Sequence, residues 1–127
     1  DFLNRRNFHR EAAHIINMCV EKEIKGYLCA HEITTLSYFL LKEQKNKTKV
    51  VNTITALLDI FNVIPIDEVI LRDSLISPIA DYEDAVIEVS SMENNIHYII
   101  SRNISDFKFS RIPALTPEQF FLSNTPK

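Results

Sequence analysis

DYEDAVIEVSSMENNIHYIISRNISDFKFSRIPALTPEQFF, residues 81–121, is the stretch from which the fold is read. Asp81 opens a helix that runs to about Asn94 and sets Ala85, Val86, Val89 and Met92 on its apolar face. IHYIIS, residues 96–101, is β-branched and apolar, the clearest strand in the chain. Ala114-Leu115 reads as a last short strand. Behind it, Thr116-Pro117-Glu118-Gln119 carries a Thr N-cap, a Pro at the first helical position and a Gln completing a capping box, so it starts a final helical turn.

Upstream, the same alternation continues. Phe8, Ala12, Ile15, Ile16, Cys19 and Val20 recur at helical spacing, and that helix is expected to fade near Lys25 with Gly26 as its stop. Tyr27 to Ala30 reads as a short buried strand. A second helix spans Glu32 to Lys42 with Ile33, Leu36, Phe39 and Leu40 on its apolar face. A third spans about Thr48 to Phe61. Asn62 to Ile66 is another short strand, closed by Pro65, and Asp67 caps a helix to about Ser77. Short buried strands alternating with helices predict an α/β fold with a central parallel sheet flanked by helices. The 127 residues suit a single domain, 1–127.

Composition narrows the function. A single glycine excludes a dinucleotide fingerprint and a P-loop, which need several glycines for backbone amides to approach phosphate. Phosphate, if bound, must meet side chains or metal ions. A net charge of −3 excludes a strongly basic nucleic-acid binder but not a local basic patch. No run of 18 or more apolar residues spans a membrane, and the start is not a signal peptide. Cys19 and Cys29 show no paired ligand spacing; they read as reduced, buried thiols of a cytoplasmic protein.

Parallel sheets bind ligands beyond the C-terminal ends of their strands. Carboxylates stand at each such place. Glu32 follows the strand at 27–30. Asp81 and Asp84 share one face of a first helical turn, with Glu88 a turn further on, and Asp106 follows the strand at 96–101. Carboxylates gathered from separate strand ends repel one another, and a hard cation such as Mg²⁺ or Mn²⁺ relieves that repulsion through oxygen ligands. Such a cluster can activate water and steady the charge on a phosphodiester. Each acid also has a plainer reading: Asp81 as an N-cap, Asp84 as a first-turn acid on the helix dipole, Glu32 as a solvated helix residue and Asp106 as a loop acid.

Residues 81–121 resemble the C-terminal half of a PIN domain: an Asp-Ala helix, a strand ending in Ser-Arg-Asn, then Asp-Phe, then Leu-Thr-Pro-Glu. Asp1-Phe2-Leu3-Asn4-Arg5 is similar to the piece that directly follows the family's first strand. The resemblance implies a three-layer fold and a metal-dependent ribonuclease, commonly the toxin of a bacterial toxin–antitoxin pair. RNA, a protein antitoxin and a second copy of the chain are the partners it implies. Residue by residue, it places the third acid on Asp84, with Asp81 beside it, and the fourth on Asp106. Ser101 and Asn103 would then support the metal or phosphate, and Arg102 is a candidate phosphate contact. The second-acid position falls on Thr35, with Glu32 one turn earlier on the same face as the alternative. The first acid, in an Asp-Thr-Asn motif ending the first and central strand, would precede Asp1; Asp1 itself matches a usually non-catalytic Asp. The resemblance therefore also implies a sheet lacking its central strand, and opens a second reading: a catalytically incomplete module that acts by binding RNA or protein.

Lys42, Lys45, Lys47 and Lys49 cluster between the second and third helices, either as a solvated turn or, with Arg5 and Arg6, as an RNA-contacting patch. His31-Glu32 does not open a zinc-protease motif, because position 35 is Thr.

Overall fold

A computed structural model describes residues 9–123. In chain order the elements are α1 (His9–Val20), β1 (Tyr27–Cys29), α2 (Ala30–Gln44), α3 (Lys47–Ile60), β2 (Asn62–Ile64), α4 (Glu68–Ser74), α5 (Tyr82–Glu93), β3 (Ile99–Ile100), a 3₁₀ turn (Ile104–Phe107), β4 (Ala114–Leu115) and α6 (Pro117–Ser123). The chain is mixed α/β, and its strands are parallel, as the alternation predicts. Asp1 to Phe8, including Arg5 and Arg6, lie outside the described residues.

Among the described residues the strands form two separate pairs. β1 lies beside β2, with Tyr27 opposite Asn62 and Cys29 opposite Ile64. β3 lies beside β4, with Ile99 opposite Ala114 and Ile100 opposite Leu115. The 96–101 strand is thus much shorter than its apolar run, because its partner supplies only two residues. Nor are the strands buried throughout: Cys29, Ile64 and Ile99 are inside, whereas Tyr27, Val63 and Ile100 face outward.

α5 organises the interior. Its Ala85 packs with Ile79, Ile99, Phe107 and Ile112 in one apolar cluster. The next residues round, Val86 and Val89, pack with Ile70 of α4 in another. Burial of each Val, Ile or Phe side chain in these clusters contributes about 1.5–3 kcal/mol. Met92, expected on the apolar face, is instead 41% exposed. Phe39 of α2 also departs from its expected burial, whereas Leu40 beside it is fully enclosed.

Helix ends follow local chemistry. Asp67 Oδ1 accepts from Ile70 N at 2.9 Å. Thr116 Oγ1 and Gln119 Oε1 accept each other's backbone N–H at 3.1 and 2.9 Å, completing the expected capping box. The stop of α1 differs from expectation. Lys22, at φ 60°, closes it, with Glu23 N bonded to Met18 O and Lys22 N to Cys19 O. Lys45 (φ 52°) and Asn95 (φ 55°) take the same left-handed conformation after α2 and α5. Gly26 has a different task. A Cβ there would lie 2.5 Å from Cys19 Sγ and 2.6 Å from the Phe61 ring, so the glycine lets α1 and the end of α3 close over β1.

Candidate functional site

The site begins where β1 ends. Cys29 is the N-cap of α2, and Glu32 reaches back so that its Oε1 accepts from Cys29 N at 2.9 Å. That bond fixes the Glu32 carboxylate over the first turn of α2 and leaves its second oxygen uncommitted to this cap. Beside it, His31 Nε2 lies 3.3 Å from Glu83 O, so α2 and the first turn of α5 meet here. His31 Nδ1 is buried without a partner. Beneath, Cys29 Sγ lies 3.2 Å from Ser90 Oγ, a second link between β1 and α5.

On α5, Asp81 is the N-cap its spacing predicts, with Oδ1 accepting from Asp84 N at 3.1 Å. Asp84 itself is half-buried. Its carboxyl is pushed up to about 6, first by burial and then by the negative charges of Asp81, Asp106, Glu83 and Glu32. Three of the acids expected from separate strand ends therefore act on the fourth through space. Glu83 was not among the expected acids; its place between Asp81 and Asp84 is the signal that would have found it.

Asp106 is exposed and is carried by a chain of tight turns. Ser101 N extends the β3–β4 ladder to Leu115 O at 3.0 Å. Ser101 Oγ then accepts from Asn103 N at 3.1 Å, and Asn103 O accepts from Asp106 N at 3.0 Å. Ser101 and Asn103 thus build the loop that presents Asp106, and Arg102 sits half-buried between them. Thr35 lies one turn along α2 from Glu32, also half-buried, and of the two only Glu32 puts a charge on Asp84.

Glu88 belongs elsewhere. Although it follows Asp84 by one turn, it is fully buried and bonded to Ser77 and Arg111. It holds loops together rather than joining the acids.

The donors around Asp84 are carboxylate oxygens, the chemistry a hard divalent cation prefers. Their mutual repulsion gives such a cation something to neutralise. Among the described residues, however, no group of three or more His, Cys, Asp or Glu side chains is arranged to hold a metal ion. Donor chemistry fits the ion; a closed coordination shell is not assembled. No helix among the described residues is long and apolar enough to cross a membrane.

The family model for the PIN domain matches residues 1–105, most of the chain, and the chain belongs to that family. PIN domains in general are nucleases that act on RNA and depend on divalent metal ions. The matched region takes in Glu32, Asp81 and Asp84 and ends one residue before Asp106. No curated protein and no solved structure matches the chain.

Proposed function

We propose that the chain is a metal-dependent endoribonuclease of PIN type, acting in the cytoplasm as the toxin of a toxin–antitoxin pair. The observation that supports this reading is the electrostatic convergence on Asp84 of carboxylates from α2, the start of α5 and the loop after β3. Asp84 and Asp106 are the metal ligands, and Mg²⁺ or Mn²⁺ held there would supply activation of water and stabilisation of the charge on the phosphodiester. Glu32 and Asp81 are the helpers. Each keeps one carboxylate oxygen on a backbone N–H, which orients the other, and both add negative potential that favours the cation. Arg102 contacts a phosphate oxygen through its planar guanidinium. Ser101 and Asn103 set the loop geometry. A protein antitoxin and a second copy of the chain are the partners that belong to this reading.

One observation favours the alternative, a catalytically incomplete module that binds RNA or protein: no three acids are drawn into a metal-holding group among the described residues. Incubating the protein with RNA and Mg²⁺ or Mn²⁺ separates the two. Cleavage abolished by chelator, and by Asp84→Asn and Asp106→Asn singly, supports the nuclease. Cleavage that survives both substitutions overturns the site, and tight RNA binding without any cleavage supports the alternative.

A further inference from the structure

α2 carries a continuous outer stripe. Glu32, Thr35, Tyr38, Phe39 and Lys42 recur at intervals of three, four and seven, which places them on one face. The opposite face is the packed one, with Leu40 fully buried. Along the stripe, exposure rises away from the acids: Glu32 and Thr35 are half-buried, whereas Tyr38 is 61% and Phe39 54% exposed. The two rings stand edge to face, centroids 5.4 Å apart, and more than half of each residue's surface is open to solvent. Beyond them come Lys42, Lys45, Lys47 and Lys49, all exposed, against a single acid, Glu43, in the same stretch.

Two of these lysines stand against their local electrostatics. Lys42 lies in the last turn of α2, where the helix dipole favours a cation. Lys47 and Lys49 lie in the first turn of α3, which carries no acid and where a cation is disfavoured. No ion pair among the described residues engages any of the four. Exposed rings flanked by unpaired cations complement a chain of unstacked bases joined by phosphates: stacking on the rings holds the bases, and the ammonium groups neutralise the backbone.

We infer that the outer face of α2 is a track for single-stranded RNA, leading from the acids at its N-terminus to the lysine tip at its C-terminus. The inference rests on the ribonuclease reading for the direction of the track, not for its existence. From Glu32 to Lys45 the helix rises about 20 Å, so RNA lying on it spans several nucleotides. Tyr38 and Phe39 form the stacking platform in the middle. Lys45, Lys47 and Lys49 grip the end remote from the chemistry. A duplex, whose bases are already stacked on one another, is a poorer occupant than a single strand.

The test is fluorescence anisotropy of a short labelled single-stranded RNA of mixed sequence, titrated with the full chain in EDTA so that no RNA is consumed. Tyr38→Ala with Phe39→Ala is expected to weaken binding about tenfold or more, and Tyr38→Phe to leave it near the original. Replacing Lys45, Lys47 and Lys49 by Gln is expected to flatten the slope of log affinity against log salt by about 2. Melting curves of the variants should match the parent, since all five side chains are exposed. Unchanged affinity in the aromatic variant together with an unchanged salt slope in the lysine variant overturns the track. So does light scattering that shows the aromatic variant dissociating an oligomer while its RNA affinity stays the same, which would make this face a protein contact. Loss of binding in a protein that never cleaves RNA leaves the track standing and removes only the catalytic reading.

Discussion

Arg111 donates to both oxygens of Glu88: its backbone N–H to Oε2 at 2.6 Å and its Nη2 to Oε1 at 2.7 Å. Ser77 Oγ donates to the same Oε1 at 2.7 Å. The fully buried carboxylate of α5 thereby ties together the segment before α5 and the segment entering β4. β4 in turn receives Ser101 N, so the loop that presents Asp106 is anchored through this ion pair.

Glu88→Gln is expected to cost about 2–4 kcal/mol at neutral pH, because the amide NH₂ that replaces one carboxylate oxygen meets the donors of Arg111 or Ser77 inside the fold and leaves them unsatisfied. Arg111→Ala should cost less, about 1–2 kcal/mol. Its side chain is half exposed, and the backbone N–H and Ser77 still satisfy the carboxylate. Burial works to raise the Glu88 carboxyl, and the bonds from Arg111 and Ser77 outweigh it, holding it below the usual range. Its stabilisation is therefore present above the ordinary glutamate pKa and lost as pH falls through the lowered native value. Urea melts across pH check both points; equal losses for the two variants would contradict the geometry.

Asp84 has the opposite sign. Its native carboxyl titrates near 6 and an unfolded one near 4, so the native state holds the extra proton between those values. Stability from this group falls as pH rises through that window and stays low above it. Asp84→Asn should therefore stabilise the protein at pH 7.5 by about 1 kcal/mol, after allowance for solvent screening, and give no gain at pH 4. Mg²⁺ should raise the melting temperature of the parent at pH 7.5 and leave the variant unmoved. A gain of equal size at both pH values would remove the electrostatic explanation. Binding of Mg²⁺ should weaken as pH falls through about 6, where Asp84 of the metal-free protein takes up its proton and competes with the cation.

Gly26→Ala should destabilise by about 1–3 kcal/mol through crowding against Cys19 and Phe61. Its φ is not left-handed, so the cost is steric. Cys19→Ala in the same chain should recover part of it, a non-additivity that a double-mutant cycle on melting data measures. Additive effects would place the strain elsewhere.

Lys22→Gly should stabilise by about 0.5–1 kcal/mol, the relief of a left-handed Cβ less the entropy of a freer unfolded chain. Thermal melts read it directly, and a loss of stability would mean that the Lys22 side chain contributes more than its backbone costs.

Local chemistry was the most legible part of the chain. Asp67, Asp81 and Thr116 were readable as caps because each acts on a residue three positions away. The nearness of the Glu32 and Asp106 charges to Asp84 was readable because segments that follow parallel strands gather at one end of them. Non-local facts were not. The six-residue run at Ile96–Ser101 says nothing of a partner only two residues long. Phe39 and Met92 obey helical periodicity, but periodicity names a face and not whether anything covers it. Glu88 shares a helix face with Asp84, and only the fold brings it Arg111, 23 residues away. The stop of α1 passed from Gly26 to Lys22 because the glycine was needed for close approach rather than for a turn.

The buried thiol at the end of β1 gives the protein an internal chemical reporter. Burial is the main reason the Cys29 thiol is pushed up to about 12, with Glu32 adding to it and Ser90 opposing it. Alkylating reagents attack the thiolate, so in the closed fold this cysteine is nearly inert, and its labelling rate measures how often β1 and α5 part. Cys19 is buried as well, on α1, so its rate follows a different opening. A cation held at Asp84 and Asp106, with the Glu32 carboxylate adding to its attraction, would oppose the parting of α5 from the β1–α2 corner and slow the labelling of Cys29 far more than that of Cys19. Reactivity at one sulfur would then register occupancy of a site made entirely of oxygen.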